Sequence, residues 1–222
     1  MSTRPKVMLA GFNKCGTRSF GHLFDAAGLP SLHHKLRRPL RPSTNACRLL
    51  DANIEAGRRP FAGFEHMAMY ADLIHVTPTH YSEGNRHFRA VLDAYPEAHV
   101  VLNTRNREDW ITSRFNHGHG EFAKRSLTAL GLSDGPELAE KWRADWDAQH
   151  AAVRSAKADY PGRIHEFDLD TDDIADLIAH LPEMGLSAAG WGETGRSRGR
   201  ARAGLVPLAR RTWAHIRPRK WR

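Results

Sequence analysis

The sequence of residues 6–19 is KVMLAGFNKCGTRS. It begins with a short apolar run, residues 6–11, that ends in a glycine. Apolar residues at helical spacing follow over residues 19–27. A buried run, a glycine-bearing loop and an amphipathic segment in this order predict a strand, a loop and a helix. Residues 6–27 are therefore predicted to form the first unit of an α/β fold.

The rest of the chain continues this alternation. Further buried strands are predicted at residues 60–64, 99–104 and 164–167. Helical patterns are found at residues 46–56, 85–95, 107–114 and 136–159, with Ser133 or Asp134 able to cap the last. The pattern predicts a single P-loop-type three-layer α/β domain, with a mainly parallel sheet flanked by helices. Ligands are expected at the carboxyl ends of its strands.

Composition narrows the class of protein. The chain has 222 residues, of which 41% are hydrophobic and 26% charged, as in an ordinary soluble domain. No apolar run approaches the ~20 residues of a membrane-spanning helix. The two cysteines, Cys15 and Cys47, are too few for a disulfide framework, and the histidines do not have zinc-site spacing. We expect a reduced, cytoplasmic protein without a metal.

The positive charge is concentrated in the C-terminal tail. Residues 196–222 contain ten Lys or Arg and no acidic residue, so removing them from the formal +8 leaves −2. We predict a domain over residues 1–190 and a basic linker with a C-terminal helix over residues 191–222. That helix could lie at the periphery of an anionic membrane, or pack on the domain with its arginines solvated.

The loop at residues 11–19 has the features of an anion site. Such a site needs glycines, free N–H groups at a helix N-terminus and a cation. The spacing from Gly11 to Gly16 matches a nucleotide-kinase loop, but Thr17 stands where that motif has its lysine. Lys14 lies inside the loop instead. By themselves the glycines are also compatible with an ordinary tight βα turn.

The order Lys14-x-Gly16-Thr17-Arg18 resembles the 5'-phosphosulfate loop of PAPS-dependent sulfotransferases, and its Gly-Thr-Arg variant resembles the heparan sulfate type. Arg105 and Ser113, eight residues apart after a predicted strand, resemble the 3'-phosphate motif of the same family. An arginine can fork onto a phosphate there, although an ion pair and a solvated serine are the alternative. Residues 76–81 resemble a third family segment whose lysine is here Val76.

The resemblance implies a donor, a product and a set of binding residues. The donor is 3'-phosphoadenylyl sulfate (PAPS), the product 3'-phosphoadenosine 5'-phosphate (PAP), and no metal is required. The implied binding residues are Lys14, Cys15, Gly16, Thr17, Arg18, Ser19, Arg105 and Ser113. Lys14 is also implied in catalysis, because a cation there stabilises charge on the leaving phosphate oxygen.

The acceptor hydroxyl must lose a proton, and several residues could take it. Residues 29–32 are predicted to form an edge strand leading to His33 and His34, where heparan-type relatives have a catalytic glutamate. Imidazole accepts protons near neutral pH, and His34 is the predicted base. The competing candidates are His33, Glu65, Asp72, His75 and His80.

Two other functions remain open at this stage. One is a P-loop nucleotide kinase, which needs magnesium. The other is a polyanion- or nucleic-acid-binding protein that uses the arginine-rich tail. Nucleic acid is the less favoured partner. The expected acceptor is a small molecule or glycan, whose identity the sequence does not reveal.

Overall fold

The computed structural model of this protein describes residues 5–38 and 40–192. The strands are β1 (Lys6–Leu9), β2 (Ser31–His33), β3 (Lys35–Arg38), β4 (Arg41–Asn45), β5 (Met69–Ala71), β6 (Ile74–Thr77), β7 (His80–Glu83), β8 (Ala98–Thr104) and β9 (Ile164–Asp168). The α-helices are α1 (Thr17–Ala26), α2 (Ala46–Glu55), α3 (Phe88–Ala94), α4 (Arg107–Phe115), α5 (Glu121–Leu130), α6 (Gly135–Ser155) and α7 (Ile174–Ala179). The predicted basic helix, near residues 207–216, lies outside the described residues.

Five strands form one parallel sheet in the order β2-β5-β1-β8-β9. The central strand, β1, pairs with β5 on one side and with β8 on the other. Every residue of β1 is buried, as expected for a parallel sheet covered on both faces. The predicted α/β fold with a mainly parallel sheet is confirmed. Because the strands are parallel, their carboxyl ends all lie along one edge.

Helices cover both faces of this sheet. Successive residues of a strand point to opposite faces. Met8 accordingly packs in a core cluster that includes Val91 of α3. Its neighbour Leu9 packs in a second cluster with Phe20 of α1 and Leu177 of α7. The domain is thus three layers, with helix, sheet and helix in turn.

The longest helix, α6, begins where its capping residue predicts. The side chain of Asp134 accepts a hydrogen bond from the N–H of Glu137, and Pro136 occupies the first turn.

In the part of the chain that the structure describes, no helix combines the length and apolar character needed to cross a bilayer.

The predicted strand at residues 60–64 is wrong. These residues form turns, and β5 occupies the position beside β1. Gly63 has a φ of 85°, which an extended strand does not allow. Phe61 is buried for a reason other than strand pairing. Its ring stacks on that of Tyr70 in β5, with centroids 3.6 Å apart. The buried run therefore belongs to an aromatic contact rather than to the sheet.

Two antiparallel hairpins, β3–β4 and β6–β7, and helix α5 were not predicted from the sequence. The β6–β7 hairpin follows β5 after two residues, so it stands at the carboxyl edge of the sheet. Its inner face carries Tyr81, whose hydroxyl accepts a hydrogen bond from Nε1 of Trp142 in α6 and donates one to Glu83. The hairpin is thereby anchored to the helical layer.

Arg114 of α4 is a fully buried cation beneath this hairpin. Its guanidinium forms an ion pair with the buried carboxylate of Glu83, at 2.5 Å. The guanidinium carbon also lies within 5.4 Å of the ring centroids of Phe12, Trp110, Phe122 and Trp142. Aromatic faces attract a cation, so this cluster offsets part of the cost of its burial.

Candidate active site

The loop of residues 10–16 joins β1 to α1 at the carboxyl edge of the sheet. Its tight course depends on left-handed backbone at Lys14, with φ of 71°, and at Gly16, with φ of 73°. Gly16 occupies the N-cap position of α1 and, having no side chain, forms no cap of its own. A helix N-terminus whose N-cap residue carries no side chain suits a bound anion.

Asn103, near the end of β8, holds this loop from beneath. Its side-chain oxygen accepts a hydrogen bond from the N–H of Gly11 at 2.9 Å, and its amide nitrogen donates to the carbonyl of Cys15 at 2.8 Å. A Cβ at position 11 would lie 1.9 Å from the carbonyl oxygen of Asn103. Glycine is thus required at this contact. Sequence reasoning missed the role of Asn103, whose one signal was an amide ending a buried strand.

Three more buried side chains hold the loop's carbonyl groups. Nε1 of Trp110 donates to the carbonyl of Asn13 at 3.0 Å. The amides of Asn85 and Gln149 both donate to the carbonyl of Ala10, at 3.1 and 3.0 Å. Because these donors come from α4, from α6 and from the short 3-10 helix Gly84–His87 that precedes α3, the loop is fixed before any ligand binds.

Lys14 provides a half-buried cation inside the loop. Burial lowers the pKa of its ammonium, Arg18 and Arg105 lower it further, and Asp72 raises it. Positive charges therefore converge where an anion would lie. Cys15 has a different character, because complete burial raises the pKa of its thiol to about 12. It contributes its backbone to the loop, and its thiol stays protonated at neutral pH.

The predicted residues at the start of α1 differ in exposure. Thr17 and Ser19 are buried, whereas Arg18 is exposed. A Cβ on Gly16 would lie 2.9 Å from the side chain of Leu169, which follows β9. Leu169 therefore packs closely against the start of α1 on the side of β9.

Arg105, the first residue after β8, reaches the same loop. Its Nη1 atom lies 3.4 Å from the carbonyl oxygen of Lys14, so the two predicted motifs meet. Its Nη2 atom is 3.8 Å from Asp170, and its buried Nε atom has no hydrogen-bond partner within the described residues. Ser113 is half-buried in the second turn of α4, and in this part of the chain no hydrogen bond joins it to Arg105.

The edge strand predicted at residues 29–32 is β2, Ser31–His33, so His33 ends the strand and His34 follows it. Nε2 of His33 lies 3.1 Å from the hydroxyl of Thr17, and its Nδ1 lies 3.8 Å from Oδ2 of Asp72. His34 has a φ of 64°, and its Nδ1 lies 3.7 Å from the same carboxylate oxygen. Asp72, immediately after β5, has a φ of 54°. One carboxylate therefore faces both imidazoles.

The remaining candidate bases are dispersed. Glu65 was expected at the carboxyl edge, but its carbonyl accepts from Lys6 at the opposite end of β1, so that expectation is wrong. His75 and His80 contact each other on the β6–β7 hairpin, with ring centroids 4.7 Å apart. His117, which the sequence did not single out, lies after α4. Burial, and then Lys14, lower its pKa.

No group of three or more His, Cys, Asp or Glu is arranged to hold a metal ion in residues 5–38 and 40–192. The chemistry of this edge is carried by two elements. One is the loop with its helix N-terminus and cations, and the other is a set of imidazoles beside a carboxylate. The first can hold a phosphorylated ligand, and the second can accept a proton.

The chain is similar to known proteins in sequence and in structure. A family model described as a sulfotransferase domain matches residues 6–170. The chain is similar to the Ava biosynthesis cluster protein M of Aspergillus versicolor, with 29% identity over 143 residues, which are 62% of this chain and 52% of that protein. It thus spans about half the length of this curated relative. It is also similar to a solved sulfotransferase from Alicyclobacillus acidocaldarius, at 17% identity and a TM-score of 0.48, over 94% of this chain and 89% of that one.

Proposed function

This chain belongs to the sulfotransferase domain family, and we propose that it transfers a sulfuryl group from PAPS to a hydroxyl or amine of an acceptor, releasing PAP. One observation carries the proposal. Arg105 touches the carbonyl of Lys14 at 3.4 Å, which joins the two predicted phosphate motifs into one site. A donor with a phosphate at each end of its ribose needs two such cationic sites close together.

The residues around the loop fit this donor. The N-terminal N–H groups of α1, with the hydroxyls of Thr17 and Ser19, suit the 5'-phosphate. Lys14 suits the bridging oxygen, where negative charge develops as the sulfur–oxygen bond breaks. Arg105, whose Nε lacks a partner within the described residues, and Ser113 suit the 3'-phosphate. His34 as the base remains a prediction, as does a small-molecule or glycan acceptor.

Calorimetry with PAP tests the donor site. Lys14→Ala and Arg105→Ala each remove a charge-assisted contact, so PAP affinity should fall by about 10- to 100-fold in each variant. Circular dichroism should show both variants folded. Arg89→Ala is the matched control, because Arg89 lies on α3 and forms its ion pair with Asp159, which follows α6. Wild-type PAP affinity in both Lys14→Ala and Arg105→Ala would refute the proposal.

The same titrations separate the other functions. A nucleotide kinase would bind ATP with magnesium more tightly than PAP and lose activity with a chelator. A nucleic-acid-binding protein would still bind nucleic acid in the variant Lys14→Ala, with an affinity that falls steeply as salt is added.

The predicted contact of residues 191–222 with an anionic membrane is tested by adding vesicles that contain phosphatidylserine to the full chain and to a chain that ends at residue 192.

A further inference from the structure

Thr17, at the start of α1, is hydrogen-bonded to His33, and His33 lies at ion-pair distance from Asp72, just after β5. The first contact is 3.1 Å long, between the Thr17 hydroxyl and Nε2 of His33. The second is 3.8 Å, between Nδ1 of His33 and Oδ2 of Asp72. Strand pairing sets this arrangement, because His33 pairs with Ala71 in the sheet and Asp72 follows directly.

We propose that these three residues form a donor-gated base, in which Asp72 positions His33 and the Thr17 hydroxyl occupies Nε2 of His33 until a donor binds. The proposal rests on the proposed function, because it assigns a role to the groups beside the same loop. It concerns the order of events within the site, and it selects His33 rather than the predicted His34.

The gate requires one tautomer of His33, with the proton on Nδ1 facing Asp72. In this proposed ligand-free arrangement the Thr17 hydroxyl donates its single proton in a hydrogen bond to Nε2. When a donor phosphate binds at the N-terminus of α1, the Thr17 hydroxyl donates its hydrogen bond to the phosphate instead. Nε2 then has a free lone pair beside the sulfuryl group, where the acceptor hydroxyl must arrive.

The sulfuryl transfer itself follows from this arrangement. The acceptor oxygen forms a bond to sulfur as the bond from sulfur to the bridging phosphate oxygen breaks, and the electron pair of that bond leaves with PAP. The acceptor proton moves to Nε2 of His33, and the carboxylate of Asp72 stabilises the imidazolium. His33 afterwards releases this proton to water.

The charges around His33 suit this role. Burial lowers the pKa of its imidazole, Arg18 of α1 and the neighbouring His34 lower it further, and Asp72 opposes them. The ring is therefore neutral at pH 7 and can accept a proton. His34 makes no hydrogen bond to the loop in the part of the chain described here. Its buried Nδ1 also has no hydrogen-bond partner there, although it shares Asp72.

Nitrogen-15 NMR of the imidazoles tests the gate without any acceptor. In the free protein His33 should be protonated at Nδ1, and its Nε2 resonance should shift when PAP saturates the site, because the Thr17 hydrogen bond is lost. A neutral ring protonated at Nε2, or an Nε2 resonance that PAP leaves unchanged, would overturn the proposal.

Hydrolysis of PAPS, with water in place of the acceptor, tests the base. His33→Asn should lower this rate by about 10²- to 10⁴-fold, as for loss of a general base, with PAP affinity within about threefold of wild type. His34→Asn is the rival variant, and the exposed His22→Asn on α1 is the control. Retained hydrolysis in His33→Asn, or loss in His34→Asn alone, would overturn the assignment.

The variant Asp72→Asn tests whether Asp72 positions His33 or only supports the fold. Removing the carboxylate lowers the pKa of His33, so the acid limb of the hydrolysis rate should move to lower pH while the rate falls by about tenfold. An unmoved acid limb would exclude Asp72 from this role. If wild-type protein binds no PAP, the proposed function fails instead, and the protonation state of free His33 still tests the pair with Asp72.

Discussion

The guanidinium of Arg105 and the backbone carbonyl of Lys14 are in contact at 3.4 Å, although 91 residues separate them in the chain. Each residue follows a strand of the parallel sheet, and β1 and β8 are neighbours. The two ends of a phosphorylated ligand can therefore be held by adjacent strand ends.

Asn103 should matter for both stability and ligand binding. Asn103→Ala leaves the N–H of Gly11 and the carbonyl of Cys15 without buried partners, which should cost about 1–3 kcal/mol in the free energy of unfolding. PAP affinity should fall by about tenfold, because the loop loses its fixed shape. The measurements are denaturant unfolding and calorimetry.

Asn53→Ala is the matched control for this loop variant. Asn53 is buried and donates to the carbonyls of Pro60 and Ala62, away from the loop. It should lower stability by a similar amount and leave PAP affinity unchanged. Equal loss of affinity in both variants would mean that Asn103 acts through global stability.

Gly11→Ala should be far more damaging than a typical glycine substitution. The added Cβ would lie 1.9 Å from a backbone oxygen in the central strand pair, which cannot move without breaking the sheet. We expect a loss above about 3 kcal/mol or failure to fold. Gly28→Ala is the comparison, because it strains a left-handed residue but meets no atom within 4 Å. A loss in Gly11→Ala no larger than in Gly28→Ala would contradict the close contact.

Arg114→Ala should strongly destabilise the domain. It leaves the carboxylate of Glu83 buried without its cation, which typically costs about 3–5 kcal/mol. Arg143→Ala removes a surface pair with Glu108 and should cost about 1 kcal/mol or less. Urea unfolding of both variants checks the difference, and similar midpoints would argue against a structural role for the buried pair.

Stability should fall in mild acid through His165. Burial, and then His99, His180 and Lys157, lower the pKa of its imidazole from 6.5 to about 4. Between these values the unfolded chain binds a proton that the folded protein excludes, so stability decreases as the pH falls from about 6.5 to about 4. His165 is half-buried, so solvent screening should limit its effect to about 1 kcal/mol.

Melting curves of His165→Gln at pH 7.5 and pH 5 test this expectation. The variant should lose less stability in acid than the wild type does. The exposed His66→Gln serves as the control and should retain the full loss. An acid loss in His165→Gln equal to that of the wild type would place the sensitivity elsewhere.

Local patterns explain which elements the sequence predicted correctly. Strand β8 is seven residues long and almost wholly buried, so its apolar run is unmistakable. Helix α6 has a cap, a first-turn proline and a periodic apolar face, all within its own segment. The run at residues 60–64 has a similar composition, but Phe61 packs on Tyr70 and Tyr95, and Phe64 packs on Tyr70, from turns outside the sheet. Composition does not distinguish a strand from a buried turn of that kind.

The sequence by itself determined that a glycine-bearing loop with Lys14 follows the first strand, within residues 11–19, because the glycines, Lys14 and Thr17 belong to one βα unit. It also indicated Arg105 through the strand that precedes it. Only the tertiary structure placed Asn103 beneath the loop and set His33 between Thr17 and Asp72. Those contacts join residues 16 to 92 positions apart. They depend on strand order and register, which long-range packing sets and no local pattern records.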